Sequence, residues 1–296
     1  MNNKLLIIDG TYLAYRSYFA LNKSNVLLVN ESGFSTNEVV LFFKTLFNLI
    51  NEYHPTHLFI AFDAKEKTFR HQMYDLYKAN RSKMEPSFYL QLDLIKEILS
   101  ALKIRNIEKS GYEADDIIAK VCNMYTSTSK LIFSADQDLN QLIDEKTSII
   151  KKNKDSYFIL NNLNFKDSYF IEPSQVIDYK AIIGDSSDNF MGIKGIGPKT
   201  ASKLLSEYQN LDNIYANLDK IKDSWASKFI EYKEYAFRNK IIAKLVTDFD
   251  LENINEDTLA LGNIELSDKA INLIDEYGLN SIKINVTKLL KNSAIK

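Results

Sequence analysis

THLFIAFD, residues Thr56–Asp63, is an unbroken apolar run that stops on an aspartate. A run with no polar alternation suits a strand covered on both faces, as in a parallel sheet. Two other stretches share the form. KLLIIDG (Lys4–Gly10) places Asp9 at its end before a loop, and KLIFSADQDL (Lys130–Leu139) runs to Asp136, with Asp138 two residues later. NEVVLFFKTLFNLINEY (Asn37–Tyr53) and the segment Ser87–Leu102 repeat apolar residues at helical spacing, the first stopping before Pro55. GYEADDIIAKVCNMY (Gly111–Tyr125) opens acidic and then turns apolar, a helix with a negative first turn. TSIIKKNKDSYFIL (Thr147–Leu160) reads as two edge strands. Strands alternating with helices predict an α/β fold with a mostly parallel central sheet and helices on both faces.

From Glu172 onward the strand signals stop. PSQVIDYKAIIGD (Pro173–Asp185), GPKTASKLLSEY (Gly197–Tyr208) and the remainder of the chain read as helices joined by short turns. A boundary near Ile171 divides an α/β domain, 1–171, from a helical C-terminal domain, 172–296. The chain has 296 residues, 45% of them hydrophobic, enough for a sizeable core. Its one cysteine, Cys122, excludes an internal disulfide and argues against a small secreted scaffold. The opening MNNKLLIIDG has no secretory pattern, and no apolar run reaches the roughly 18 residues of a membrane span. The expectation is a soluble cytoplasmic protein with no membrane partner.

The net charge of −2 hides segregation, with basic residues gathered in KEKTFRHQMYDLYKANRSK (Lys65–Lys83) and acids in packets elsewhere. In an open α/β sheet, ligands bind beyond the carboxyl ends of the strands. Asp9, Asp63, Asp136 and Asp138 are therefore expected on one rim. Glu113 and Asp116 share a helix face beside Asp115, and Asp185 and Asp188 repeat that spacing in GDSSDN. Singly, each acid could be a cap or a turn residue. Converged, they would repel one another and need a counter-charge. His54, His57 and His71 lie outside the packets, so an all-oxygen set favours Mg²⁺ or Mn²⁺ over zinc, and its size implies two ions. Paired hard cations suit displacement at a phosphodiester.

On a helix, Arg70, Tyr74, Tyr77, Lys78 and Arg81 would form one basic and aromatic stripe able to neutralise phosphates and stack on bases. The plain alternative is an amphipathic helix with half-buried tyrosines. In GIKGIGPKTA (Gly192–Ala201), the amides of Gly195 and Gly197 with the next helix N-terminus would make an anion nest, flanked by Lys194, Lys199 and Thr200. A simple turn between helices is the competing explanation there.

Taken in order, IIDGTYLAYR, FDAKEKTFRHQMYDLYKANR, GYEADDIIA, SADQDLNQLI, GDSSDNFMGIKGIGPKTA and a late YGLNSIK resemble the bacterial 5′-nuclease family. That family comprises the 5′→3′ exonuclease domain of DNA polymerase I and its phage and eukaryotic flap-endonuclease relatives. The resemblance spans nearly the whole chain. It implies a PIN-like nuclease domain with a helical arch near 66–100 and a helix-hairpin-helix near 184–206. It implies one metal on Asp9, Asp63, Glu113 and Asp115, and a second on Asp136, Asp138 and Asp185. Asp116 and Asp188 would act through water. Lys78 and Arg81 would orient the scissile phosphate from the arch, Arg16 and Tyr15 would lie near the scissile nucleotide, and the hairpin would hold duplex DNA, with K⁺ at its carbonyls. The implied activity is 5′-3′ exonuclease and 5′-flap endonuclease action by a monomer, removing RNA primers and flaps. Gln72 departs from the pattern where relatives often carry an acid, and the end at Lys296 fits a stand-alone nuclease. A non-catalytic DNA-binding protein is the rival reading. A small-molecule phosphotransferase would need a second acid beside Asp9, which IIDGTY lacks.

Overall fold

The computed structural model describes residues 3–22, 28–30, 32–153 and 156–294. Six strands form the main sheet: β1 (Lys4–Asp9), β2 (His57–Phe62), β3 (Asn106–Glu108), β4 (Ser129–Phe133), β5 (Thr147–Lys152) and β6 (Tyr157–Leu160). Their order is β3-β2-β1-β4-β5-β6, parallel throughout except for β6, which runs antiparallel to β5. The apolar runs are covered on both faces. Leu5, Ile7, Phe59 and Ala61 enter one core, while Leu6, Ile8, Leu58, Ile60 and Phe62 enter the other. Ile8 pairs with Ile60 on one side and Phe133 on the other, so β1, β2 and β4 end side by side. The chain order reverses at β1, which is where a doubly wound sheet opens a crevice.

Helices α1 (Gly10–Asn22), α2 (Asn37–Tyr53), the five-residue α3 (Phe69–Met73), α4 (Pro86–Ala101) and α5 (Ala114–Met124) come next in the chain, interleaved with the strands. The loop expected after Asp9 is absent: β1 passes directly into α1, with Gly10 against Phe62 and Ile60, where a Cβ would fall 2.5 Å from the Phe62 ring. The third apolar run also ends sooner than expected, because β4 stops at Phe133 and Asp138–Leu142 forms a 3-10 turn.

Beyond β6 come α6 (Phe165–Tyr169), α7 (Val176–Ile183), a two-residue hairpin of β7 (Gly184–Asp185) and β8 (Phe190–Met191), α8 (Pro198–Tyr208), α9 (Leu211–Ala216), α10 (Asp223–Glu231) and α11 (Lys233–Ala243). This helical layer shares the core of α5, and the small hairpin interrupts what the sequence presents as purely helical. The chain then returns to the sheet. α12 (Glu256–Leu259) leads to Ala260, which bridges to His57, and α13 (Asp268–Glu276) and α14 (Asn280–Ala294) bury Ile274, Ile282 and Val286 with α2 and α4. Residues after Glu172 therefore cover both faces of the sheet. Among the described residues, no helix is long and apolar enough to cross a membrane.

Candidate active site

A cleft of about 790 Å³ opens over the ends of β1 and β2, with Asp9, Asp63, Glu113, Asp115 and Asp136 in its lining. Asp9 sits on the last residue of its strand, accepting from the Tyr12 amide (2.9 Å) and the Ser134 hydroxyl (2.7 Å). Asp63 comes directly after β2 and accepts from the Ala114 amide at 2.8 Å, while its own amide donates to Thr11 Oγ1. The Asp63–Ala114 bond ties the α5 N-terminus to β2. Glu113 caps α5, so Glu113 and Asp115 project from a helix end whose dipole favours negative charge.

The cleft carboxylates are crowded. Burial, then the neighbouring Asp63, pushes the Asp9 carboxyl up to about 7. Burial and then Asp136 and Asp9 drive Asp115 well above the usual range. Burial also raises Asp63, although Lys78 works against it. Glu113 is the exception: burial opposes its charge, but Lys78 and Arg70 outweigh burial and hold it low.

One oxygen each from Asp115, Asp136 and Asp138 lies within 4.8 Å of the others. Asp185 reaches this group through Lys180, whose ammonium bonds Asp138 and lies 2.6 Å from Asp185. The Asp185 carboxylate also accepts from the Ser187 amide at 2.7 Å and hydroxyl at 2.5 Å. Acids from separate stretches of sequence therefore gather in one place. All donors are oxygens, and among the described residues Asp9, Asp63 and Asp115 form no direct ion pair, so the nearby Lys78 only partly offsets their crowding. Such a set fits hard divalent ions of the Mg²⁺ or Mn²⁺ type.

The basic segment departs from its sequence-based reading. Only Phe69–Met73 is helical; Tyr74 is extended and Lys78 has φ +55°. Over Lys65–Lys83 the chain is a folded strap and the helical stripe does not form, while α4 makes most of the rest of the 66–100 range helical. Arg70 and Tyr77, expected to face nucleic acid, are both 2% exposed. Arg70 donates to Asp116 at 2.7 and 2.8 Å, and the Tyr77 hydroxyl lies 3.1 Å from Glu113 and 3.3 Å from Asp188. Helical spacing misassigned Tyr77 because the chain leaves the helix at Tyr74 and turns inward, whereas Arg70 stays helical but points to buried Asp116. Asp116 is likewise no cleft ligand. Its oxygens accept from Arg70, the Val246 amide (2.9 Å) and the Glu113 amide (3.2 Å).

Lys78 and Arg81 do face the cleft. Lys78 donates to Glu113 at 2.8 Å, and Arg81 to Asp188 at 2.9 Å. The strap is laced to the turn before the glycine hairpin: the Lys78 amide bonds the Asp188 carbonyl (3.1 Å), Asn80 the Ser186 carbonyl (2.8 Å) and Asn189 the Leu76 carbonyl (2.7 Å). Tyr15 lines the cleft beside Phe88, with ring centroids 4.7 Å apart. Arg16 does not line it. Its guanidinium stacks over Phe133 and Tyr157 and reaches the cleft only through Tyr12.

The hairpin is anchored by Ile193 and Ile196, both buried, and by the Ile193 amide on the Ile182 carbonyl at 2.7 Å. That leaves Lys194, Gly195, Gly197 and Lys199 exposed and Thr200 half-buried. Gly195 holds φ +88°, and Gly197 precedes Pro198 at the start of α8. Sequence reasoning missed three site residues. Ser134 fixes Asp9; buried Lys151 donates to the Asp136 carbonyl at 2.9 Å; and Lys180 bridges two acids. Lys151 had one available signal, a lysine directly after the apolar pair Ile149 and Ile150 in β5.

Residues 4–170 match the family described as the 5′-3′ exonuclease N-terminal resolvase-like domain, and 171–266 the 5′-3′ exonuclease C-terminal SAM fold. A 5′-3′ exonuclease of Aquifex aeolicus is 34% identical over 292 residues, covering 98% of this chain and 97% of the relative. DNA polymerase I of Caldicellulosiruptor bescii is 38% identical over 263 residues, 86% of this chain, but the match spans only 30% of that longer protein. The bacteriophage T5 D15 flap endonuclease, solved with DNA and metal ions, has the same fold, with a TM-score of 0.70 over 98% of both chains at 20% identity. Matched along both halves, and more than 30% identical to a relative over nearly its full length, this chain belongs to the 5′-3′ exonuclease family of nucleases.

Proposed function

We propose that this chain hydrolyses DNA phosphodiesters at 5′ ends and 5′ flaps in a divalent-metal-dependent reaction, and so removes RNA primers and displaced flaps in replication and repair. One observation carries the reading: under-compensated carboxylates converge in a cleft whose other wall carries Lys78, Arg81 and Lys83. A purely structural cluster of acids would have been neutralised by its own cations. Asp9, Asp63, Glu113 and Asp115 would hold one ion, and Asp136, Asp138 and Asp185 a second. When bound, such ions lower the pKa of water and stabilise charge on the leaving oxygen.

The chain's own residues do the rest. Lys78 and Arg81 bind the scissile phosphate, exchanging Glu113 and Asp188 for phosphate oxygens. Tyr15 offers its exposed ring to the adjoining base. Lys194, Lys199 and the amides of Gly195 and Gly197 grip the duplex backbone without reading sequence, and K⁺ at the hairpin carbonyls belongs to the same reading. The T5 flap endonuclease complexed with DNA and metal supports this assignment by analogy of fold.

The test is a 5′-labelled flap duplex incubated with purified protein, with and without Mg²⁺. Metal-dependent release of the flap is expected. An intact substrate in the presence of Mg²⁺ or Mn²⁺ would overturn the reading.

A further inference from the structure

Lys180 belongs to none of the acidic or basic packets visible in the sequence. It lies on α7, 6% exposed, and its ammonium joins Asp138 of the 3-10 turn to Asp185 of the small hairpin. A buried ammonium is tolerated only when paired, and two carboxylates satisfy it here. Asp138 also belongs to the tight oxygen group with Asp115 and Asp136. The bonded Asp138 and Asp185 oxygens thus already serve an internal cation. An ammonium seated on these carboxylates offsets the negative charge they would offer a divalent ion, so the two cations compete for the pair.

Beside this pair lies a separate cavity of about 420 Å³. Lys180 forms part of its wall, with Asp136, Tyr179, Ser186 and Ser187. Asn140 lines it too, and among the described residues the buried Asn140 Oδ1 has no hydrogen-bond partner. The Lys180 ammonium therefore adjoins a cavity with polar groups in its wall. The carbonyls of Ser186 and Ser187 accept bonds from Asn80 and Arg81 of the basic strap.

We propose that Lys180 is an exchangeable counter-cation: it holds the Asp138–Asp185 pair in the metal-free protein and is displaced into the adjoining cavity when the second divalent ion binds. This rests on the metal-dependent reaction proposed for the cleft. Lys180 is a positioning residue. It keeps the second carboxylate pair assembled, and the small hairpin docked, before metal arrives. The cost is weaker binding of the second ion, because entry requires removal of a unit charge from its ligands.

The test uses the full chain and Mn²⁺ as the probe, with binding followed by calorimetry and by the electron paramagnetic resonance signal of free Mn²⁺. Lys180→Gln and Lys180→Met are expected to tighten the weaker Mn²⁺ site by at least roughly tenfold, as removal of a nearby unit charge implies. Both are expected to unfold at lower temperature in EDTA and to show a larger upward shift on adding Mn²⁺. Lys180→Arg keeps the cation and should bind Mn²⁺ like the wild type. A lysine that merely supports the fold predicts the reverse, since its loss would loosen the ligands. Unchanged or weaker Mn²⁺ binding by Lys180→Gln with wild-type circular dichroism would overturn the inference. No Mn²⁺ binding by the wild type would instead remove the metal-dependent reading, and this inference with it.

Discussion

The guanidinium of Arg70 closes on Asp116 in a two-pronged pair, Nη1 to Oδ2 at 2.7 Å and Nη2 to Oδ1 at 2.8 Å. Arg70 also donates to the carbonyls of Ile242 (2.9 Å) and Lys244 (3.0 Å). The pair thus ties the root of the basic strap, the first turn of α5 and the end of α11 together. Asp116 in turn receives the Glu113 amide, so the pair also sets the helix end that presents Glu113 and Asp115. Breaking one side of a buried pair leaves an uncompensated charge. Arg70→Met should therefore cost about 3–5 kcal/mol of unfolding free energy. Arg70→Met combined with Asp116→Leu should recover part of that loss, the orphaned Glu113 and Val246 amides holding back the rest. Urea denaturation checks both, and a single variant as stable as wild type would show that the pair does not hold these segments.

The carboxyls set a pH dependence for the metal-free protein. Asp9 is raised to about 7, and Asp63 and Asp115 are raised as well, burial being the largest cause in each case. Between roughly pH 4 and 7 the folded state therefore holds protons that the unfolded chain releases, so stability falls as pH rises through that window. Glu113 and Asp185 are depressed, which gives stability present above roughly pH 4 to 5 and lost on further acidification. In EDTA the unfolding free energy should pass a maximum near pH 5 and decline toward pH 7.5 by on the order of a few kcal/mol, read out as a falling melting temperature. Mg²⁺ should restore the loss at the alkaline end, and Asp9→Asn should flatten the decline. A melting temperature in EDTA that climbs between pH 5.5 and 7.5 would contradict the crowding of the cleft carboxyls.

Asp136 offers the cleanest separation of chemistry from binding. Its side chain caps the Asp138 amide at 2.8 Å and otherwise faces the cleft. Asp136→Ala should lower cleavage of a 5′-flap duplex by at least about 100-fold, the scale on which one charge-stabilising group acts. The affinity for the flap should stay within about threefold, since the basic strap and hairpin are untouched. Measured by gel cleavage and by fluorescence anisotropy in Ca²⁺, equal cleavage by the variant would remove Asp136 from the site.

Legibility in the sequence came from locality. Asp9, Asp63 and Asp136 announce themselves because each closes an apolar run, and runs of that kind lie side by side in a parallel sheet. Glu113 and Asp115 announce themselves by opening an amphipathic helix. Tyr77 was misplaced because spacing argues for a helix only while the chain stays helical, and here it leaves the helix after Met73; Arg70 is helical, but its face turns to the protein interior. Their inward course depends on Asp116, Glu113 and Asp188, partners 36 to 111 positions away. Ser134, just past β4, and Lys180 on α7 carry no motif, and the closure of the sheet and the docking of α7 bring them, with Lys151, to the acids.

The glycines show the same limit, and they yield a prediction that separates them. Gly195 and Gly197 draw attention in the sequence, yet the space around both is open, and Gly197 has φ −91°, a value any residue adopts. Gly192 is the tight one. A Cβ there would fall 2.2 Å from the Ile183 carbonyl carbon, 2.3 Å from the Ile182 oxygen and 2.5 Å from the Gly184 nitrogen, all backbone atoms that cannot swing away. Those atoms belong to the end of α7 and the first strand of the small hairpin, so relief requires the hairpin to part from α7, breaking the Ile193–Ile182 bond and shifting Asp185. Gly192→Ala should therefore cost about 2–4 kcal/mol in stability, in the range of core overpacking and backbone strain. Its affinity for duplex DNA should fall by at least about tenfold. Gly197→Ala should leave stability within about 0.5 kcal/mol of wild type. Gly195→Ala should lie between them, at about 1 kcal/mol, from its positive φ alone. Denaturation of the three variants, with anisotropy on a blunt duplex, orders them; a Gly192→Ala protein as stable as Gly197→Ala would mean that the hairpin does not pack tightly against α7.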